Sequence, residues 1–216
     1  MAEKHPAILL FGDSKSLDFP LIMCVGREPN DQGFYGDSVG TYDKNLVMPP
    51  RVGFWNTAFK VVADVEGTTV KQLKETCRSY RSSILAFADV SPKPILSRIA
   101  AKGDIRSSVT RQEKEKHIKS IFSKPLIERV RIFLLSGIAG PQFSEARSLF
   151  VSECEARKKA FYDLPFFFPS NYPRIRESLT PELRNVIHGA YTSWVASASK
   201  SQFAGPSQPG VSGVLG

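Results

Sequence analysis

The feature that most constrains the fold is a short apolar run, Leu21 to Val25, that ends at Gly26. A polar loop, residues 27–31, follows directly. An uninterrupted apolar run of this length, closed by turn residues, is typical of a strand buried on both faces of a parallel sheet. Such strands deliver their loops to the carboxyl edge of the sheet, where α/β proteins bind ligands. We therefore expect the loop after Gly26 to face a crevice.

Glu28 is the candidate functional side chain of this loop. Pro29 follows it, and the residue before a proline is biased towards an extended backbone. The carboxylate would then be held at the tip of the strand. Whether it points into the crevice or only into water is open from the residues alone.

Short apolar runs alternate with stretches of helical periodicity along the chain. The predicted strands after the first are 84–90, 131–136 and 164–168, and the predicted helices are 51–63, 70–80, 140–159 and 179–196. Residues 7–11 could form an edge strand or a short helix, and residues 32–50 show no periodicity and read as an irregular loop. The alternation predicts an α/β protein, a three-layer α/β/α sandwich with a central, mostly parallel four-stranded sheet.

The length of 216 residues suits one domain with a substantial core, which we place at residues 1–196. Residues 93–124 are basic and polar, and we interpret them as an insertion over one face; a solvated surface helix is the competing interpretation. Residues 197–216 are rich in Ser, Gly and Pro, which predicts a disordered tail.

Composition limits the partners. The formal net charge of +8 permits a polyanionic partner without identifying one. The three cysteines form no CxxC pair, so we expect no metal, no iron–sulfur cluster, no disulfide framework and no cofactor. We find no signal peptide and no apolar run near the roughly 20 residues of a membrane helix. An intracellular monomer without a membrane partner is the simplest expectation.

Six short motifs occur in a recognisable order: VGREPN, GFYGD, GFWN, FADVSPKP, LLSGIAG and FPSNYPR. Together, between about residues 21 and 183, they resemble the uracil-DNA glycosylase superfamily, and within it the mismatch-specific thymine/uracil branch. The resemblance implies a monofunctional DNA glycosylase of base excision repair. Such an enzyme flips a uracil-like or mispaired base out of DNA and hydrolyses its N-glycosidic bond. DNA would be its partner.

The resemblance assigns the catalytic role to Glu28, at the place where the family positions or activates water. Asn or Asp is usual there, and Glu offers the same chemistry on a longer arm. An ion pair between Glu28 and Arg27 is the alternative. Asn30 stands where strict uracil enzymes carry a bulky Tyr, which implies a roomier pocket, although Asn30 could equally cap its own loop.

Further base-binding residues follow from the same comparison. Gly26 and Arg27 belong to the base-binding loop, and Tyr42 or Tyr35 would stack on the flipped base. Asp89 matches the Asn or Asp that closes the second strand motif and would meet the edge of the base. A turn or helix-cap role is the competing interpretation of Asp89.

The FPSNYPR motif resembles the loop that grips the DNA backbone. Pro169 and Ser170 would pinch the phosphates, Asn171 or Tyr172 would fill the gap left by the flipped base, and Arg174 would contact phosphate. Phe168 stands where strict uracil enzymes have a catalytic His. Backbone amides would then have to assist the leaving base, which predicts a slow enzyme or one that selects bases that leave easily.

Two other classes of function fit the same residues. One is a catalytically impaired glycosylase-fold protein that binds DNA or a nucleobase without cleavage. The other is a hydrolase of a different small N-glycoside or phosphorylated substrate. A steep dependence of DNA affinity on salt belongs only to the two DNA-binding classes.

Overall fold

The computed structural model describes residues 4–5, 7–12, 19, 21–27, 34–35, 39–42, 53–92 and 109–203. Its strands are β1 Lys4–His5, β2 Ile8–Gly12, β3 Leu21–Gly26, β4 Phe34–Tyr35, β5 Val39–Tyr42, β6 Ser82–Asp89, β7 Val130–Ser136 and β8 Ala160–Leu164. Its helices are α1 Gly53–Val65, α2 Val70–Ser79, α3 Arg111–Phe122, α4 Ser144–Ala156, α5 Tyr172–Ser178 and α6 Pro181–Phe203.

One six-stranded sheet organises the fold, in the order β5-β2-β6-β3-β7-β8. Strands β6, β3, β7 and β8 are parallel to one another. Strand β2 runs antiparallel to β6, and β5 pairs in parallel with β2. Strands β1 and β4 form a separate two-stranded ladder. The predicted four-strand parallel sheet is therefore one part of a larger, mixed sheet, to which β2 and β5 add two strands beyond β6.

The side chains of the central strands alternate between two apolar cores. In β3, Ile22 and Cys24 join the core under α1, α2, α5 and α6. Leu21, Met23 and Val25 join the core under α3 and α4. All residues of β3 are buried, because helices cover both faces of a parallel sheet. This arrangement confirms the predicted three-layer α/β/α class.

Two helices begin where short polar side chains cap them. Thr69 and Gln72 form a reciprocal capping box at the start of α2, and Thr110 and Glu113 form another at the start of α3. Each box satisfies backbone N–H groups that have no partner inside the helix. These caps set the starts of both helices from the local sequence alone.

The strand prediction was wrong at two places. Strand β8 spans Ala160–Leu164, whereas we predicted a strand over 164–168. Because β8 is an edge strand with half-exposed side chains, it lacks the continuous apolar run that marks β3. Strands β4 and β5 lie within 32–50, which we expected to be irregular, and residues 7–11 contribute a strand, which settles the choice left open there.

The described part of the predicted insertion is an integral layer of the fold. Helix α3 buries Ile118, Ile121 and Phe122 in the core beneath α3 and α4. The predicted tail also begins later, since α6 extends to Phe203. Ala198 is fully buried, and the hydroxyls of Ser199 and Tyr80 lie within hydrogen-bond distance, 3.1 Å apart. Tertiary packing thus continues the helix through a Ser-rich stretch.

Candidate functional site

The carboxyl ends of the four parallel strands meet at one edge of the sheet. Gly26 at the end of β3 is in register with Asp89 at the end of β6, and Ser136 of β7 is in register with Leu164 of β8. The loops that follow these strands carry most of the residues predicted from sequence. Such an edge is where open α/β sheets bind ligands.

Gly26 and Asp89 are in direct contact at this edge. The pairing of their strands continues past the strand ends: the Val90 N–H donates to the Gly26 carbonyl, and the Ser91 N–H donates to the Arg27 carbonyl, both at 3.1 Å. A Cβ on Gly26 would lie 2.2 Å from Asp89 Oδ1. The carboxylate of Asp89 therefore packs directly against the Cα of Gly26, at a distance that a residue with a Cβ could not allow.

His117 holds the other side of Asp89. Its Nε2 lies 2.9 Å from the Asp89 carbonyl oxygen, and because a carbonyl only accepts, Nε2 carries the proton. The ring is buried, and it projects from α3 on the same helix face as Ile118 and Ile121. Sequence reasoning missed this residue, although its place in the apolar stripe of α3 was a signal.

Arg27 connects three of the loops. Its Nε donates to the Gly137 carbonyl at 2.8 Å, and its guanidinium lies over the rings of Phe166 and Phe143, at 4.4 Å and 5.8 Å from their centroids. Its predicted place in the base-binding loop stays a prediction, and the side chain also joins that loop to Gly137. The side chain faces the loops after β7 and β8, and it holds them at the edge.

Gly137 allows the loops after β7 and β8 to pack closely together. Its φ is +67°, and its N–H donates to the Leu164 carbonyl at 2.8 Å. A Cβ there would lie 2.6 Å from Phe166 Cβ and 2.8 Å from Phe166 Cα. The glycine therefore allows the backbone after β7 to pack closely against the backbone after β8.

An aromatic cluster forms the floor beneath the edge. Phe54, near the start of α1, packs against Phe87, Phe166 and Phe167, with ring centroids 5.5 to 6.0 Å apart. Its Cζ also lies next to Gly26, 3.3 Å from where a Cβ would stand. Ligand sites in proteins are lined mostly by apolar and aromatic side chains with a few polar groups.

The FPSNYPR loop is anchored beside this floor. The buried Ser136 hydroxyl accepts a hydrogen bond from the Phe167 N–H at 2.7 Å, and the Asn171 side-chain amide donates to the Phe166 carbonyl at 3.0 Å. Phe168, Pro169 and Ser170 are exposed. Pro169 lies 2.9 Å from the position of a Cβ on Gly53, so the loop rests on the first turn of α1.

Tyr172 does not face outward, which corrects its predicted role as a wedge. The side chain is 8% exposed, and its hydroxyl donates to Asp64 Oδ2 at 2.5 Å. Lys60 Nζ lies over the ring, 3.8 Å from its centroid. Tyr172 therefore packs between α5 and α1. Its ring is buried there, and its hydroxyl has a hydrogen-bond partner in Asp64.

We expect Tyr172→Phe to lower the free energy of unfolding by about 1.5–3 kcal/mol, the usual worth of a hydrogen bond to a charged acceptor. Burial, and secondarily the Asp64 carboxylate, raise the pKa of Tyr172 above its usual range. Its stabilising contribution is therefore complete below about pH 10 and is lost as the pH rises further. Urea unfolding measures the difference in free energy of unfolding between wild type and Tyr172→Phe, and we expect this difference to be smaller at pH 10.5 than at pH 8.

The matched control is Tyr162→Phe. The Tyr162 hydroxyl bonds Glu182 at the surface, where such contacts contribute little. Equal losses of stability in the two variants would contradict the assignment of Tyr172 to the core.

Tyr42 lies far from the site. It lies in β5, which runs antiparallel to β3, and pairs with Phe11 of β2. The next residue of β2, Gly12, pairs with Ser82 at the beginning of β6. At about 3.3 Å per residue, the backbone of Tyr42 is roughly 15 Å along the sheet from Asp89. This placement argues against Tyr42 as the stacking ring, and Tyr35, in β4, stays a prediction.

Glu28 and Asn30 lie outside the described residues, so their predicted roles stay predictions. Their loop begins at the site, since Gly26 is in place against Asp89 and Arg27 crosses to Gly137. Arg174 is exposed on α5, on the same helix as Arg176. Both arginines come shortly after the exposed residues 168–170 in the chain.

A cleft of about 910 Å³ lies on the helical face between α1, α5 and α6. Its charged lining mixes cations with carboxylates: Lys60, Arg176, Arg184, Asp64 and Glu177. The edge residues Gly26 and Asp89 do not line it. The cleft is therefore separate from the strand-end site, and its mixed charge favours no one class of ligand.

Within the described residues, no group of three or more His, Cys, Asp or Glu side chains could hold a metal ion. Burial raises the pKa of the Cys77 and Cys154 thiols to about 12, which disfavours the thiolate form that binds metals. Among the helices that the structure describes, none is long and apolar enough to cross a membrane.

The chain matches no protein-family model, and a search of curated proteins finds no match.

Proposed function

We propose that this protein is a DNA glycosylase that flips a uracil-like or mispaired base from DNA and hydrolyses its N-glycosidic bond. One observation supports this most: the Gly26–Asp89 pair and the exposed 168–170 loop share one edge of the sheet. Two adjacent residues of α1 link them, since Gly53 touches Pro169 and Phe54 touches Gly26. A pocket for a base and a surface for the DNA backbone would then adjoin.

The proposed chemistry uses the loop after Gly26. Glu28 orients a water and accepts its proton as the oxygen bonds to the sugar C1′, while the C1′–N bond breaks and its electron pair leaves with the base. The carboxylate also offsets the positive charge that develops on the sugar. The aromatic floor around Phe54 and the Asp89 carboxylate against Gly26 offer one apolar and one polar surface to the flipped base.

Phe168 sets the expected range of substrates. A phenyl ring donates no hydrogen bond to a departing base, and losing one such donor typically costs about 10²–10³ in rate. We expect the enzyme to be slow, or to prefer bases that depart easily as anions, such as uracils with electron-withdrawing groups at C5.

The test is a base-excision assay on labelled oligonucleotides. They carry uracil, thymine, hypoxanthine or 5-substituted uracil, in single strands and opposite each base. Alkali-labile strand breaks at the target base are the expected result and identify the substrate. Tight binding without breaks on any oligonucleotide would contradict catalysis and favour the glycosylase-fold binding protein. Neither binding nor breaks would contradict a role on DNA.

The charge of α5 leads to a prediction about DNA affinity. Replacing Arg174 and Arg176 together by Gln should reduce the slope of log affinity against log salt by about 0.9 for each lost phosphate contact, hence by up to about 1.8. Fluorescence anisotropy over a salt series measures the slope. Lys119→Gln is the control, because Lys119 is exposed on α3, in the opposite helical layer. An unchanged slope in the double variant would place the DNA elsewhere.

A further inference from the structure

A buried imidazole holds the tip of β6 from the side of α3. His117 is 6% exposed, and its Nε2 donates to the Asp89 carbonyl oxygen at 2.9 Å. Buried polar groups are normally hydrogen-bonded, so the bond by itself only explains how a histidine is tolerated in this core. Its importance depends on what the tip of β6 holds in turn.

The tip of β6 fixes the start of the loop that follows β3. The Val90 N–H donates to the Gly26 carbonyl and the Ser91 N–H donates to the Arg27 carbonyl, both at 3.1 Å. Val90 and Ser91 are both fully buried. The Arg27 carbonyl belongs to the peptide bond that joins Arg27 to Glu28. The place where the chain enters Glu28 therefore depends on where the tip of β6 lies.

Helix α3 is well anchored, so a side chain on it can hold the tip in a fixed place. Ile118 and Ile121 are buried in the same core as Val90. Lys114, one turn before His117, forms an ion pair with Glu145 of α4 at 2.6 Å. Residues on rigid elements hold their partners more precisely than residues on loops do.

We propose that His117 is a positioning residue of the strand-end site. Its bond to Asp89 fixes the tip of β6 and, through Val90 and Ser91, the start of the loop that carries Glu28. This inference rests on the proposed function and deepens it. His117 is buried and acts through the backbone, not on the base or the sugar. A displacement of about 1 Å in a catalytic group can cost about 10²-fold in rate, so this indirect role is measurable.

His117→Gln and His117→Met form a matched pair. Both replacements are unbranched and of similar length, but only glutamine keeps an N–H that can donate to the Asp89 carbonyl. We expect His117→Met to lower the single-turnover rate of base release by about 10- to 100-fold, and His117→Gln to stay within about threefold of wild type. DNA affinity should stay within about twofold of wild type in both variants, because the positioned loop acts in the chemical step.

Ile121→Val is the control for a general loss of stability. It removes one methyl group from the same helix and the same core as His117, without removing the bond to Asp89. It should lower the melting temperature and leave the rate of base release unchanged. Equal slowing in Ile121→Val and His117→Met, or equal slowing in His117→Gln and His117→Met, would overturn the inference and leave the glycosylase function intact.

Amide hydrogen exchange provides a readout that needs no DNA. The N–H groups of Val90 and Ser91 should exchange about tenfold faster in His117→Met than in wild type, because the tip of β6 opens more often. His117→Gln and Ile121→Val should leave this exchange close to that of wild type. Unchanged exchange in His117→Met would overturn the inference, and so would faster exchange without slower base release. If wild type releases no base, the proposed function fails, and faster exchange in His117→Met alone would still support the positioning of the loop by His117.

Discussion

Replacing Gly137 by alanine is expected to lower the free energy of unfolding by about 2–5 kcal/mol. A left-handed conformation costs an L-residue roughly 1–2 kcal/mol, and Gly137 has φ +67°. The added Cβ would also lie 2.8 Å from the Phe166 Cα, a backbone atom that cannot rotate away, and such overpacking typically costs about 1–3 kcal/mol. The Gly137 carbonyl that binds Arg27 would shift too.

Two other glycines provide matched controls in urea unfolding. Gly67 has φ +62° but nothing near its Cβ position, so Gly67→Ala isolates the backbone cost of about 1–2 kcal/mol. Gly189 lies within α6 with open space around it, so Gly189→Ala should stabilise by about 0.5–1 kcal/mol. If Gly137→Ala proved no worse than Gly67→Ala, the close contact with Phe166 would be disproved.

Glu28→Gln is expected to have the largest effect on turnover. General acid–base assistance contributes about 10²–10⁴ in rate, and glutamine keeps the size of the side chain without the basic oxygen. Single-turnover base release on the best oligonucleotide measures the change. Affinity for the same DNA should be unchanged within about twofold, because the proposed role is in the chemical step rather than in binding.

Glu28→Asp is the control for this prediction. The carboxylate is retained on a shorter arm, so part of the activity should survive if proton transfer is what matters. A wild-type rate in Glu28→Gln would remove Glu28 from the catalytic step. A loss of DNA affinity that matched the loss in rate would instead assign it to binding.

The sequence was most informative where the residues of one short segment were enough to predict a strand. The apolar run before Gly26 predicted β3 and its burial on both faces, and Asp89 was correctly placed at the end of β6. Parallel pairing then required their tips to lie together, as the register shows. Edge strand β8 was misplaced because its half-exposed residues carry no such run.

The roles of individual side chains were harder to predict. The hydrogen bond of Arg27 to Gly137 could not be predicted, because Gly137 is distant in sequence and the guanidinium is oriented over the ring of Phe166. The family resemblance offered Tyr172, or Asn171, as a wedge, but α5 turns the Tyr172 ring towards Asp64. A local sequence pattern does not indicate which distant residues a side chain will contact.

The sequence by itself determined the α/β class and the buried central strands, since hydrophobic periodicity acts over a few neighbouring residues. Only the tertiary structure decided which side chains meet at the sheet edge. It buried Tyr172, tied Arg27 to Gly137, set His117 against Asp89 and left Phe168 exposed. These contacts join segments far apart in the chain, and their geometry follows from how the helical layers pack on the sheet.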